Sequence, residues 1–190
     1  LHFLEIAKTP EFQIEYSKTS RQLEESHLRH PDANLRSPRP ATAFEYTFGA
    51  KVKKVSAGEY NHKLTIEYFA IGKQVNDTDR FIVLDRQSKS FVPSRENQYS
   101  LVFRGNPVRV EQVAYRYGVP MHGRTPEAYL IVVTDQDDRV VQYKTSNEFL
   151  FENVGKLKQL PIDAYFNKHC DRIFPARPTD SDRGPGVYNP

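Results

Sequence analysis

Phe44-Glu45-Tyr46-Thr47-Phe48-Gly49-Ala50-Lys51-Val52 alternates: every even-numbered residue is apolar and could line a core. Successive side chains of a β-strand point to opposite faces, so such a segment has one face for a core and one for water. The same period recurs on both sides of it. Phe12, Ile14 and Tyr16 alternate with Glu11, Gln13 and Glu15. Leu64, Ile66, Tyr68 and Ala70 alternate with Lys63, Thr65, Glu67 and Phe69, and Tyr99, Leu101 and Phe103 with Ser100, Val102 and Arg104. Strands with one buried and one wetter face are what two packed sheets require, so the pattern predicts a sandwich.

Two segments depart from alternation. Phe81-Ile82-Val83-Leu84 and Tyr129-Leu130-Ile131-Val132-Val133 are apolar on both faces. They predict central strands covered on both sides, one of them by a helix. Val108 and Val110 lie on one parity, and Val113, Tyr115 and Tyr117 on the other. That predicts a bulge or strand break near Glu111-Gln112. Thr134-Asp135-Gln136-Asp137-Asp138 reads as a hairpin turn, because Asp bonds its own backbone there. Thr145-Ser146-Asn147-Glu148 has the form of a capping box, and Leu150, Val154 and Leu157 follow at helical spacing. The helix is expected near 146–160, weakened at Gly155 and stopped by Pro161. A second short helix is expected over Ser20–Arg29, ending before Pro31, with a loop from Pro31 to Pro40.

Composition bounds the rest. A chain of 190 residues, 38% hydrophobic, can build a core without staples. It is read as N-terminal strands and a long arm over 1–43, a sandwich over 44–173, and a Pro-rich tail over 174–190. The tail, from Phe174 to Pro190, carries four Pro and two Gly and has no periodicity. The lone cysteine, Cys170, excludes an internal disulfide and leaves the redox compartment open. No apolar run reaches the roughly 18 residues of a membrane span. The chain begins at Leu1, which is read as a mature form preceded by a removed signal or a membrane tether. Net charge is +3, with the excess between Lys18 and Lys54, where eight Lys/Arg face four Asp/Glu. That stretch suits an acidic partner; without interleaved aromatics it is not a nucleic-acid signature, and no nucleic acid is expected.

Candidates for chemistry are few. On a helix, Glu24, His27 and His30 would converge at three-residue spacing as ligands for a transition metal; the plainer reading is a solvated surface. Tyr115, Tyr117 and Tyr129 could stack on a glycan or peptide, against the plainer reading of a core edge. Asp135, Asp137 and Asp138 lack the rest of a calcium loop. His169-Cys170 is adjacent in sequence, which on a strand separates the two side chains, so Cys170 reads as a small buried hydrophobe. Arg104-Gly105-Asn106-Pro107 and His122-Gly123-Arg124 are turn sequences, not phosphate loops. No catalytic residue, cofactor or enzymatic activity is expected.

The segment Ala128 to Cys170 is the most distinctive: strand, acidic turn, short strand, helix, then Leu160-Pro161-Ile162-Asp163-Ala164-Tyr165-Phe166. With the Tyr- and Phe-rich strands before it, over residues 40 to 175, it resembles the secreted immunoglobulin-like proteins of the Planctomycetes–Verrucomicrobia bacteria, among them proteins encoded in type IV pilus-like loci. The resemblance implies an extracytoplasmic domain, a link to a surface appendage, self-association, and no catalytic residues to carry over. The Cys–Trp–Cys core of antibody-type domains is lacking. The full expectation is a mainly-β, immunoglobulin-like sandwich with one or two short added helices. It would act as a cell-surface or pilus-associated interaction domain, with protein partners or a second copy meeting its edge strands and terminal arms. A module for a host glycan or peptide is the alternative, and a metal-binding protein the second alternative.

Overall fold

The computed structural model describes residues 10–23, 26–28, 39–75, 77–113 and 122–174. In chain order the elements are β1 (Phe12–Gln22), β2 (Ser26–Leu28), β3 (Arg39–Lys54), β4 (Leu64–Gln74), β5 (Asp77–Phe91), β6 (Ser100–Arg104), β7 (Val108–Val113), β8 (His122–Thr134), β9 (Val140–Thr145), α1 (Glu148–Glu152), α2 (Val154–Leu157), β10 (Tyr165–Phe166) and β11 (Arg172–Ile173). The chain is a mainly-β sandwich of two antiparallel sheets with two short helices, the class that the alternation predicts.

The first sheet is built around β3. Its whole length pairs with β1 and then β2 on one side, and with β6 and then β7 on the other. The second sheet runs β9-β8-β4-β5-β10-β11, and the start of β8 also pairs with β7, which joins the two sheets at one corner. Between the sheets, Phe12, Ile14, Phe48, Ala50, Val52, Phe103 and Val110 pack against Leu64, Ile66, Tyr68, Ala70, Ile82, Leu84, Ile131 and Val133. The in-facing parity read from the sequence is therefore the observed one.

The second sheet is buried on both faces. Phe69, Ile71, Phe81, Val83, Ala128, Leu130 and Val132 form its outer side, covered by Leu150, Leu157, Leu160, Ala164, Phe166 and Cys170. Both doubly apolar segments are thus covered as expected. The wetter face expected for β4 is not there: Glu67, Phe69 and Ile71 are buried beneath the helical layer. Glu67 is tolerated because Arg86 reaches it at 3.2 Å and Lys158 bonds its other oxygen. Arg86 also lies over the Phe69 ring and donates to the Lys158 carbonyl, so the pair fastens the layer to the sheet.

Four local expectations are corrected. Ser20–Arg29 is not a helix: β1 continues to Gln22, and Ser26–Leu28 pairs with Arg39–Ala41. Pairing with a 16-residue strand outweighs the weak propensity of a stretch with only two apolar residues. The same pairing brings Arg39 and Pro40, expected in a loop, into β3. No bulge falls at Glu111-Gln112, and a different interruption lies upstream of it. The register of β7 runs unbroken through Glu111 and Gln112, and the one-residue slip falls at Gly105-Asn106-Pro107, between β6 and β7. Proline cannot donate to the ladder, which sets the interruption there. The capping box is not formed. Asn147 is the N-cap without a side-chain bond, the Thr145 hydroxyl accepts from the Asn147 amide at 3.2 Å, and Glu148 accepts from Tyr143. The helix then breaks at Asn153, two residues before Gly155.

A bulge in β5 has the largest consequence. Ala70 pairs with Asp85 but Ile71 with Val83, so Leu84 and Asp85 both turn into the sandwich. Asp85 is 2% exposed. Its carboxylate accepts from the Tyr68 hydroxyl, from the Arg86 amide at 2.9 Å and from the Gln87 amide group at 3.3 Å. Gly105 lies against this group with no room for a methyl.

Candidate functional site

An edge strand presents unpaired backbone groups, and natural proteins cover or blunt them. Among the described residues β1 pairs on one side only. Its first half is nonetheless closed. The Gln142 side chain accepts from the Phe12 amide at 2.9 Å and donates to the Phe12 carbonyl at 2.7 Å, and the Lys144 ammonium donates to the Ile14 carbonyl at 2.9 Å. These bonds fix which residues face outward along the edge: the even-numbered ones. Beyond Ile14 the β9 side chains stop, and the backbone groups of Tyr16, Lys18, Ser20 and Gln22 point to the open side. Ser17 to Gln22 are exposed on both faces of the strand. Among the described residues nothing pairs with the regular, seven-residue stretch of edge from Tyr16 to Gln22.

The stretch is held rigidly. It pairs without a register shift against Phe44–Ala50 of β3. Tyr16 stacks on Tyr129 at 4.1 Å and on Phe48 at 6.4 Å, and Tyr46 stacks on Phe48 at 6.1 Å. Burial and the neighbouring Tyr129 hold the Tyr16 phenol well above its ordinary pKa. Arg21 bonds Glu45 across the pair at 2.8 Å while remaining 72% exposed. Glu15 is engaged by Lys51 at 3.3 Å.

A second feature lies at one end of the sandwich. A cleft of about 140 Å³ is lined by Glu59, Tyr60, Asn61, Pro93, Ser94, Arg95 and Tyr99. Its walls are fixed from behind. The buried Lys54 ammonium donates to the carbonyls of Ser56 at 2.7 Å and Gly58 at 2.6 Å, and lies 5.7 Å from the Tyr99 ring centroid. Gln98 and Tyr99 both have positive φ, 55° and 56°, which non-glycine residues seldom adopt. Burial, then the charges of Asp135 and Asp137, raise the Tyr60 phenol.

The residues singled out from the sequence fare differently. Glu24, His30, Tyr115 and Tyr117 lie outside the described residues. His27 lies in β2 opposite Pro40, so the helical spacing that would gather it with Glu24 and His30 is not present at His27. Among the described residues no group of three His, Cys, Asp or Glu is placed to hold a metal ion. Tyr129 is half-buried and stacked, part of the core margin rather than a platform. Asp135 forms the turn itself, accepting from the amides of Asp137 and Arg139 at 2.9 Å each. Cys170 is buried in a turn, and burial pushes its thiol up to about 11, so it is not a thiolate at neutral pH. No helix among the described residues is long and apolar enough to cross a membrane.

The sequence points to edge strands as contact elements without singling out β1, and it carries no sign of the cleft. The edge carries no motif; the one signal was the alternation of β1 fading into Ser17-Lys18-Thr19-Ser20-Arg21-Gln22. The cleft joins residues some forty positions apart and has no local signature.

No protein-family model matches the chain, and no curated protein matches it. Among solved structures it is similar to a crystal structure of a protein from Akkermansia muciniphila, at 14% identity over 73% of this chain and 72% of that chain, with a TM-score of 0.24. A likeness at that score carries no argument about function.

Proposed function

We propose that the chain is a non-enzymatic interaction domain that takes an extended segment of a protein partner onto the edge of β1. The observation that carries the reading is the contrast along one strand: Phe12 and Ile14 are closed by Gln142 and Lys144, while Tyr16 to Gln22 pair with no other described strand on that side and are solvated from Ser17 onward. Strand addition uses such an edge, with backbone bonds giving affinity and side chains on alternate faces giving selectivity. The reading extends to an extracytoplasmic, surface- or pilus-associated setting, to be tested by cell fractionation and immunogold labelling. Recovery in the cytosol alone would reject that part.

The binding test is direct. Displayed random peptides are selected on the wild-type chain and re-tested on Ser20→Pro. The Ser20 amide faces outward, so proline there removes no bond to β3 while blocking an incoming strand. Selected peptides should lose binding; peptides that bind both forms equally would reject the reading.

The cleft favours a second reading, a small glycan or peptide site. Two tyrosines, a proline, an arginine and three further polar residues converge on it, a mix of apolar faces and polar groups suited to a sugar ring. A glycan array showing no signal that depends on Tyr99 would remove it.

A further inference from the structure

We infer that the segment accepted by the β1 edge is acidic, with two carboxylate side chains three positions apart. The inference rests on the strand-addition reading and adds the chemistry of the partner. The open stretch carries two cations, Lys18 and Arg21, and no acidic residue. Lys18 has no ion partner among the described residues, and its register neighbour on β3 is Phe48. Arg21 is held in place by one bond to Glu45, which leaves the rest of its fork exposed. Glu15, the nearest acid along the strand, is already taken by Lys51. An incoming strand therefore meets one cation unpaired among the described residues, Lys18, and a second, Arg21, whose fork keeps free donors beside its bond to Glu45. Because side chains alternate, Lys18 and Arg21 project to opposite faces. A partner strand places residues directly opposite each, so it needs its two carboxylates three apart and likewise on opposite faces.

A second copy of the chain fits this edge poorly. The outward residues are even-numbered, so antiparallel self-pairing is limited to registers that match even with even. With Lys18 opposite its own counterpart, the like charges meet head-on. With Lys18 opposite Ser20, the two copies of Lys18 lie diagonally, within about 8 Å. With Lys18 opposite Gln22, the two copies of Arg21 take that diagonal. Each register that uses the middle of the open stretch sets like charges together, and an acidic strand relieves all of them.

The test uses the full chain and a capped octapeptide of threonine and valine with two glutamates three positions apart. Controls replace both glutamates by glutamine, or move them to adjacent positions. Binding is followed by calorimetry at low and at 0.5 M salt. The spaced diacid should bind about fivefold tighter than the glutamine peptide, the size expected of two exposed pairs, and lose that advantage in high salt. Lys18→Gln with Arg21→Gln should abolish the advantage and leave the glutamine peptide unchanged. Ser20→Pro should abolish binding of every peptide. If Ser20→Pro removes binding but all peptides bind alike, strand addition stands and the acidic partner is overturned. If the diacid still binds Ser20→Pro, strand addition itself is overturned. If no peptide binds while sedimentation shows a dimer that Ser20→Pro dissociates, the occupant is a second copy and the inference fails.

Discussion

Replacing Gly105 by alanine tests the buried group at the centre of the sandwich. A Cβ built on Gly105 would lie 1.8 Å from Asp85 Oδ2, 2.0 Å from the Tyr68 hydroxyl and 2.8 Å from Asp85 Cγ. None of these atoms belongs to a free side-chain end: Tyr68 is fully buried and Asp85 nearly so. Either the strand after β6 moves away, opening the packing around Phe103, or the Tyr68–Asp85 bond breaks. Overpacking alone costs about 1–3 kcal/mol. Leaving the carboxylate short of one donor adds about 1–3 kcal/mol. The expected loss is about 3–5 kcal/mol, a large part of the roughly 5–15 kcal/mol that holds a domain folded. Urea unfolding, followed by circular dichroism at several wavelengths, measures it. Gly155→Ala is the control, because nothing lies within 4 Å of its Cβ and alanine is the better helix former; it should gain about 0.5–1 kcal/mol. A Gly105→Ala protein within 1 kcal/mol of wild type would refute the packing described around Asp85.

Alkaline stability should follow the buried phenols. Tyr16 and Tyr68 are raised from 10.0, chiefly by burial, so the unfolded chain releases their protons first. Their stabilisation is complete below pH 10 and is lost as pH rises above it, at about 1.4 kcal/mol per pH unit for each phenol. Tyr16→Phe and Tyr68→Phe should each flatten the slope by one such share, read from urea midpoints between pH 10 and 11.5. Glu67→Gln, facing Arg86 and Lys158, should cost about 1–2 kcal/mol, discounted because both cations are about one-third exposed. The cost should be seen in thermal melts and shrink if Arg86 is replaced as well. Ser20→Pro should change the melting temperature by less than 2 °C, since it takes no bond from β3.

How much of this was written in the sequence depends on the range of each signal. Period-2 alternation is local, so Phe12, Phe48, Leu64 and Phe103 could be assigned to the core from their own neighbours. Burial of β4 on both faces could not, because Glu67 looks like a solvent-facing residue until Arg86 and Lys158 arrive from elsewhere. The helix expected over Ser20–Arg29 failed for a similar reason: weak local preference yields to pairing with β3. Tyr129 packs at the core margin, but its stacking partner Tyr16 lies more than a hundred residues away. Asp85 was invisible as a core residue, since the parity of β5 places it outward and only the bulge at Leu84 turns it in. The open edge is a relation among three strands, and no single segment carries it.

The second sheet serves two cores at once, and that shapes how the molecule opens. The layer from Asn147 to Ile173 covers the outer face of β4, β5 and β8, joins the sheet only at its edge through β10, and takes no part in the packing between the sheets, apart from Tyr165 at its margin. It can therefore lift as a cooperative unit while the sandwich stays intact, at less than the global cost of unfolding. Amide exchange should divide the chain accordingly. The helices and β10 would exchange first and together, β1 and β6 at an intermediate rate, and β4 last, because its neighbours shield it laterally and both cores shield it from above and below.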